Sequence, residues 1–206
     1  MIRSLEEKGV QRAPDIRRAL ARVDRRRFVP EEYAASAYQD IPLPIGDGQT
    51  ISQPYTVVFM LELLRPASGD RIMDIGSGSG WQSALLADIA GAEGRVYAFE
   101  IVPRLCALGR ANAAVYPELA ERITFYCRSA AHGLPSVASR AGGFDGIIAA
   151  AEVRLVPAAW RRQLKTGGRL VYPKEGALFL EVKRDDGSFS AREYPGFAFV
   201  PFVDGL

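Results

Sequence analysis

The sequence predicts an α/β fold with a parallel, doubly wound sheet, and three features of its 206 residues support this. From Arg71 onward, short apolar runs of strand length alternate with helical patterns. A glycine-rich turn, Gly76-Ser77-Gly78-Ser79-Gly80, stands between the first of these strands and the helix after it. Beyond residue 176 the pattern changes to consecutive strands parted by turn residues, which suits antiparallel additions to the sheet edge.

Residues 1–65 form an N-terminal helical segment on the substrate side. Pro14 and Asp15 open a helix whose apolar residues Ile16, Ala19, Leu20 and Val23 recur at i, i+3, i+4 and i+7, giving one buried stripe. Its end is expected near Phe28-Val29-Pro30. Residues 40–54, DIPLPIGDGQTISQP, carry Pro42, Pro44 and Pro54 with Gly46 and Gly48, so they can be neither a regular helix nor a central strand. An irregular stretch of this length is usually functional or disordered, and Ile41, Leu43, Ile45 and Ile51 argue for order. Residues 55–64, YTVVFMLELL, then read as a buried helix.

The core, residues 66–175, begins with strand Arg71–Ile75, the glycine turn and a helix from Trp81 to Ile89. Arg95–Ile101 is a second strand, and Pro103 starts the next helix at a position proline favours. Strands follow at Ile123–Cys127 and Phe144–Ala151. A helix over Pro157–Leu164 is expected to stop at Gly167-Gly168, ahead of strand Arg169–Tyr172. In residues 176–206, Ala177–Lys183 and Phe189–Glu193 flank Asp185-Asp186-Gly187-Ser188, a hairpin signal, and Phe197–Val203 reads as a last strand.

Composition agrees with one globular domain, 48% hydrophobic and 24% charged. No apolar run reaches membrane-spanning length, and MIRSLEEKGVQR lacks the apolar core of a signal peptide. Cys106 and Cys127 have neither metal-site nor disulfide-framework spacing, so they read as core thiols in a reducing cytoplasm. A net charge of +2 is too small to indicate nucleic acid. The charge is uneven, with nine Lys/Arg and four Asp/Glu in residues 1–30. Arg25-Arg26-Arg27 could therefore flank a groove for an acidic peptide, although a solvated helix face is the ordinary reading of such a run.

The glycine turn narrows the ligand. Gly76, Gly78 and Gly80 let the backbone turn sharply and approach a ligand, and the next helix offers unpaired N–H groups. A dinucleotide G-x-G-x-x-G would need glycine where Trp81 or Ser83 stands, and no P-loop motif is present. Asp74, ending the first strand, would repel a pyrophosphate and suits the cationic end of S-adenosyl-L-methionine. Glu100, ending the second, can accept both ribose hydroxyls. The pattern thus points to a Rossmann-like sheet of the class I S-adenosylmethionine-dependent methyltransferase kind.

AYQDIPLPIGDGQTISQPYTV, followed by DIGSGSGWQSALLA, YAFE, FDGIIAAA, VPAAWRRQLKTGGRLVYP and FAFVPF, resembles the protein-L-isoaspartate (D-aspartate) O-methyltransferase family from Phe28 to Phe202. The resemblance implies methyl transfer to the carboxylate of L-isoaspartyl residues in damaged proteins or peptides. S-adenosyl-L-homocysteine would be the product. It places the active-site serine at Ser52, with Ile51 and Val203 on the substrate side. Cofactor contacts are implied for Gln53, Pro54, Tyr55, Thr56, Val57, Asp74, Gly76, Ser77, Gly78, Gly80, Glu100, Ile101, Ser129 and Ala130. A carboxylate is already ionised at neutral pH, so no strong base is required, and Ser52 reads as a positioning donor rather than a nucleophile. No metal, nucleic acid or membrane is implied; a cytoplasmic monomer is expected.

One stretch departs from the family. Its G-D-G after the third strand, whose aspartate holds the adenine amino group, is Arg128-Ser129-Ala130 here, and a neutral hydroxyl binds less strongly than a carboxylate. Two other functions therefore stay open: a methyltransferase with another carboxylate acceptor, and a binding protein without catalysis. His132, the single histidine, reads as an exposed or structural loop residue.

Overall fold

The computed structural model describes Met1, Leu5, Gly9, Val10 and residues 13–204; most of the segment MIRSLEEKGVQR lies outside the described residues. The alternation of apolar runs and helices builds one seven-stranded sheet from β3 (Arg71–Ile75), β4 (Arg95–Phe99), β5 (Ile123–Tyr126), β6 (Phe144–Ala149), β7 (Leu164–Lys174), β8 (Ala177–Lys183) and β9 (Phe189–Pro195). Across the sheet the strands run in the order β5-β4-β3-β6-β7-β8-β9. The first five pair in parallel and the β7–β8 and β8–β9 pairs are antiparallel. The chain runs outward from β3 to β5 and returns to β6 on the other side of β3. That reversal opens a crevice at the carboxyl ends of β3 and β4, where ligands bind in such sheets. A separate antiparallel hairpin, β1 (Leu43–Gly46) and β2 (Gln49–Ile51), comes from the proline-rich stretch.

The helices are α1 (Pro14–Arg22), α2 (Pro54–Leu64), α3 (Trp81–Ala90), α4 (Pro103–Ala113), α5 (Pro117–Ala120), α6 (Pro135–Ala141) and α7 (Ala158–Gln163). Every residue of α3 is buried, because α1 covers the face that the sheet leaves open. Ile16, Ala19 and Leu20 of α1 form the packed stripe. Asp88 of α3, itself buried, accepts a 2.8 Å bond from Arg22 and fixes the crossing of α1 over α3.

Several expectations are corrected. Helix α1 stops at Arg22, because the Asp24 carboxylate accepts from Arg26 N and caps a separate 3-10 turn, Arg25–Phe28. Strand β7 starts at Leu164 and continues through Gly167-Gly168, which bend the strand rather than stop a helix; a Cβ on Gly168 would lie 2.5 Å from Leu164 Cδ2. Phe197–Val203 is not a strand. Pro201 has no N–H to donate, and the segment returns over the sheet end through Glu152 N to Val200 O and Phe202 N to Glu152 O, both 2.8 Å. Cys106 and Cys127 are not separate core thiols but form a disulfide with Cα atoms 5.6 Å apart. The first turn of α4 packs against the end of β5, which brings buried Cys106 to exposed Cys127 across a separation of 21 residues.

Candidate functional site

The crevice is shaped first by glycine. Gly76, Gly78 and Gly80 take φ of +75°, +50° and +86°, the left-handed region that side chains avoid. The N–H groups of Gly76 and Ser77 both donate to Phe99 O at 2.9 Å, tying the turn to the end of β4. A Cβ on Gly80 would lie 2.8 Å from Gly109 O, so the turn and α4 meet glycine against glycine. This leaves Ser77 Oγ buried without a hydrogen-bond partner. The adjoining Glu100 carboxylate is also buried and accepts from Gly78 N and Val102 N, each at 2.9 Å.

Asp74 lies one layer deeper. It is fully buried, and its carboxylate accepts from Gln82 Nε2 at 2.7 Å and from Ser83 Oγ. Burial pushes its pKa up to about 6, opposed by these two donors. Gln82 lines the cleft, so Asp74 reaches the cleft through Gln82.

The β1–β2 hairpin forms a second wall and carries Ile51 and Ser52 onto the cleft. Two arginines hold it. Arg104 of α4 donates to Ile45 O at 2.7 Å and pairs with Asp47. Arg25 is 0% exposed, contrary to the solvated helix face that its run suggested and to the alternative place beside a groove. Its Nη1 donates to Ala37 O at 2.6 Å, and its Nη2 to Ile41 O and Ser52 O, both at 3.1 Å. The Arg25 Cζ stands 5.3 Å from the Trp81 ring centroid. Desolvation lowers its pKa to about 10.

The third wall follows β5. Ser129 Oγ accepts from Ala131 N at 3.2 Å and donates to Val203 O at 3.5 Å, which joins this wall to the C-terminal segment. Trp160 Nε1 donates to Ala130 O at 2.9 Å.

Of the residues singled out in the sequence, Ile51, Ser52, Val57, Gly76, Ser77, Gly78, Glu100, Ile101, Ser129, Ala130 and Val203 line one cleft. Gln53, Pro54, Tyr55, Thr56, Asp74 and Gly80 stand behind its walls: Pro54–Thr56 in the first turn of α2, Gly80 at the start of α3. His132 is exposed in the loop before α6 and does not line the cleft; its carbonyl accepts from Gln163 at the end of α7. Sequence reasoning missed Gly109, whose only signal was a glycine inside a helix pattern, and Arg104, which carried none; Arg128 stood out only as a departure from the family's G-D-G and was given no role. The ionisable side chains lining the cleft are Glu100 and Arg128. Such a site positions and desolvates; it offers no strong base.

The cradle suits a nucleoside cofactor on its own geometry. An unpartnered buried hydroxyl and a carboxylate fixed by two backbone N–H groups sit beside glycines that leave room for a ligand.

A family model described as Protein-L-isoaspartate(D-aspartate) O-methyltransferase (PCMT) matches residues 1–206. The chain is 36% identical over 211 residues to a protein-L-isoaspartate O-methyltransferase of Ignicoccus hospitalis, covering 99% of this chain and 96% of the relative. It is 42% identical over 191 residues to that of Anaeromyxobacter dehalogenans, covering 90% and 87%. A Plasmodium falciparum structure named for the same activity, in complex with S-adenosyl-L-homocysteine, superposes with a TM-score of 0.86 at 23% identity, covering 98% of this chain and 96% of that one. That likeness is one of fold.

Proposed function

This chain belongs to the protein-L-isoaspartate(D-aspartate) O-methyltransferase family, and from that premise we infer how its residues share the reaction. It is an enzyme that transfers a methyl group from S-adenosyl-L-methionine to the carboxylate of L-isoaspartyl residues in damaged proteins and peptides. We read all 206 residues as one methyltransferase domain, acting as a monomer.

The cofactor, when bound, supplies a methyl group activated by a cationic sulfonium. Glu100 holds the ribose hydroxyls: its two N–H partners fix the carboxylate and leave lone pairs on both oxygens. Gly76, Ser77 and Gly78 line the space beside it, and the orphaned Ser77 Oγ gains a partner there; this hydroxyl is the observation that carries the reading. Ile101 and Ala130 offer apolar contact to the base. Asp74 orients Gln82 rather than touching the ligand.

Ser52 holds one oxygen of the substrate carboxylate, between Ile51 and Val203. A hydroxyl positions that oxygen without neutralising it, and the surrounding walls exclude water. Ser52→Ala should lower kcat at least tenfold and leave S-adenosyl-L-homocysteine affinity within a factor of about two. Isothermal titration beside steady-state kinetics reads both, and equal losses would remove Ser52 from the substrate side.

No helix among the described residues is long and apolar enough to cross a membrane. We place the enzyme in the cytoplasm, where aged cellular proteins would be its substrates. The Cys106–Cys127 bond stands against a reducing compartment. Counting free thiols in protein quenched with an alkylating agent at lysis decides the matter: two free thiols support the cytoplasm, none opposes it.

A further inference from the structure

Arg128 is the cation of the cleft to which the reaction gives no task. It stands two residues beyond the end of β5, exposed, and lines the cleft with Ile101, Ser129 and Phe202. Its Cζ lies 5.2 Å from the ring centroid of Phe99 and 5.5 Å from that of Tyr126, two rings stacked 5.0 Å apart. Nη1 donates to Ser129 O at 3.2 Å and Nη2 to Gly133 O at 3.1 Å. Among the described residues Arg128 makes no ion pair.

An exposed arginine held by two carbonyls and two rings, with no counter-charge, is a planar cation kept in one place at a cleft wall. Its neighbours show what that wall lacks. Ser129 Oγ is engaged with Ala131 N and Val203 O, and Ile101 and Ala130 are apolar, so no side-chain carboxylate is available to grip a base from the β5 side. The ribose site at Glu100 lies at the end of β4, and β5 is the next strand in the sheet. A base joined to that ribose, beside Ile101, therefore faces the residues that follow β5. Guanidinium groups stack on aromatic faces, and a purine presents one.

We propose that Arg128 grips the adenine of the cofactor, its guanidinium stacked on the purine face between Ile101 and Ser129. Arg128 is then the residue that sets affinity for the base. The proposal rests on the S-adenosyl-L-methionine reading of the cleft.

The test titrates two ligands calorimetrically into wild type and Arg128→Ala. One is S-adenosyl-L-homocysteine; the other is 5′-methylthioadenosine, which shares the nucleoside and lacks the amino acid. Because Arg128 is exposed, the variant should melt with the wild type. Both ligands should lose affinity by a similar factor, about five- to thirty-fold, the range of a partly desolvated cation–π contact. Unchanged affinities would overturn the proposal. So would a loss confined to S-adenosyl-L-homocysteine, which would place Arg128 at the carboxylate of the amino acid instead. Wild-type protein that binds neither ligand would overturn the cofactor reading itself, and the proposal with it.

Discussion

Replacing Arg25 with methionine keeps much of the buried volume and removes the guanidinium that holds the Ser52 wall. Three carbonyls, Ala37 O, Ile41 O and Ser52 O, then lose their donor. Each charge-assisted bond is worth about 1.5–3 kcal/mol, or a similar penalty when the acceptor stays buried and unpaired. Against this, methionine removes the desolvation that lowers the Arg25 pKa to about 10. That relief is about 3 kcal/mol at 1.36 kcal/mol per pKa unit. The bonds win, and a net loss of about 2–5 kcal/mol is expected. In a domain of this size it should lower Tm by roughly 5–15 °C. Arg25→Lys keeps the charge, but one ammonium cannot span all three carbonyls, so its loss should be intermediate. Calorimetry of the cofactor-free proteins gives the stability, and kcat with an isoaspartyl peptide should fall in the same order: wild type, lysine, methionine. Affinity for S-adenosyl-L-homocysteine should change less than kcat, since Glu100 and the glycine turn are anchored independently. A methionine variant within about 0.5 kcal/mol of wild type would refute the reasoning, because one buried and two part-buried carbonyls cannot lose a shared charged donor at so small a cost. A destabilised variant with unchanged kcat would show that Ser52 does not depend on this tie.

Asp74 gives a pH prediction. Its folded pKa of about 6 stands above the 3.8 of an ordinary aspartate, so the folded state binds the extra proton and the group's contribution to stability falls as pH rises between them. That fall is about 3 kcal/mol in total; Asp74→Asn should flatten the profile between pH 4 and 7 in denaturant titrations, and an unchanged slope would place the titration elsewhere. Gly80→Ala combines a positive φ with a Cβ 2.8 Å from Gly109 O. It should cost about 2–5 kcal/mol and weaken S-adenosyl-L-homocysteine binding, and a neutral outcome in both would contradict the close approach of the turn to α4. Reducing Cys106–Cys127 opens a loop across 21 residues. Chain entropy puts the loss near 3 kcal/mol, seen as a lower urea midpoint with dithiothreitol in wild type and not in Cys127→Ser.

Much of the parallel core was legible because each element carried its own signal. Arg71–Ile75 is mostly apolar, with Ile72, Met73 and Ile75, proline opens the helices at Pro54, Pro103 and Pro135, and the glycines mark the turn. Errors fell where a local signal was outvoted by distant partners. Gly167-Gly168 look like a stop, yet β7 pairs with β6 at Leu164 before them and again at Arg169 after them, across a shift in register. Phe197–Val203 looks like a strand, yet Pro201 and the bonds to Glu152 turn it into a strap across the cleft mouth. The site was half legible: Ser52, Glu100 and the glycines stand out by motif. The arginines do not, since charge in a sequence reads as surface until a fold shows which carbonyls surround it. Arg25 sits in a run of three that resembles a solvated face, and its neighbours Arg26 and Arg27, both exposed, behave so while Arg25 does not. The disulfide was hidden for the same reason, as a spacing of 21 residues acquires meaning only once α4 lies on β5.

Methyl transfer from radiolabelled S-adenosyl-L-methionine to two matched peptides, one with L-isoaspartate and one with L-aspartate at the same position, is the most direct assay of this cleft. Label should enter the isoaspartyl peptide alone, as a base-labile ester. Equal labelling of both peptides, or none at saturating cofactor, would contradict the assignment of this cleft to isoaspartyl carboxylates.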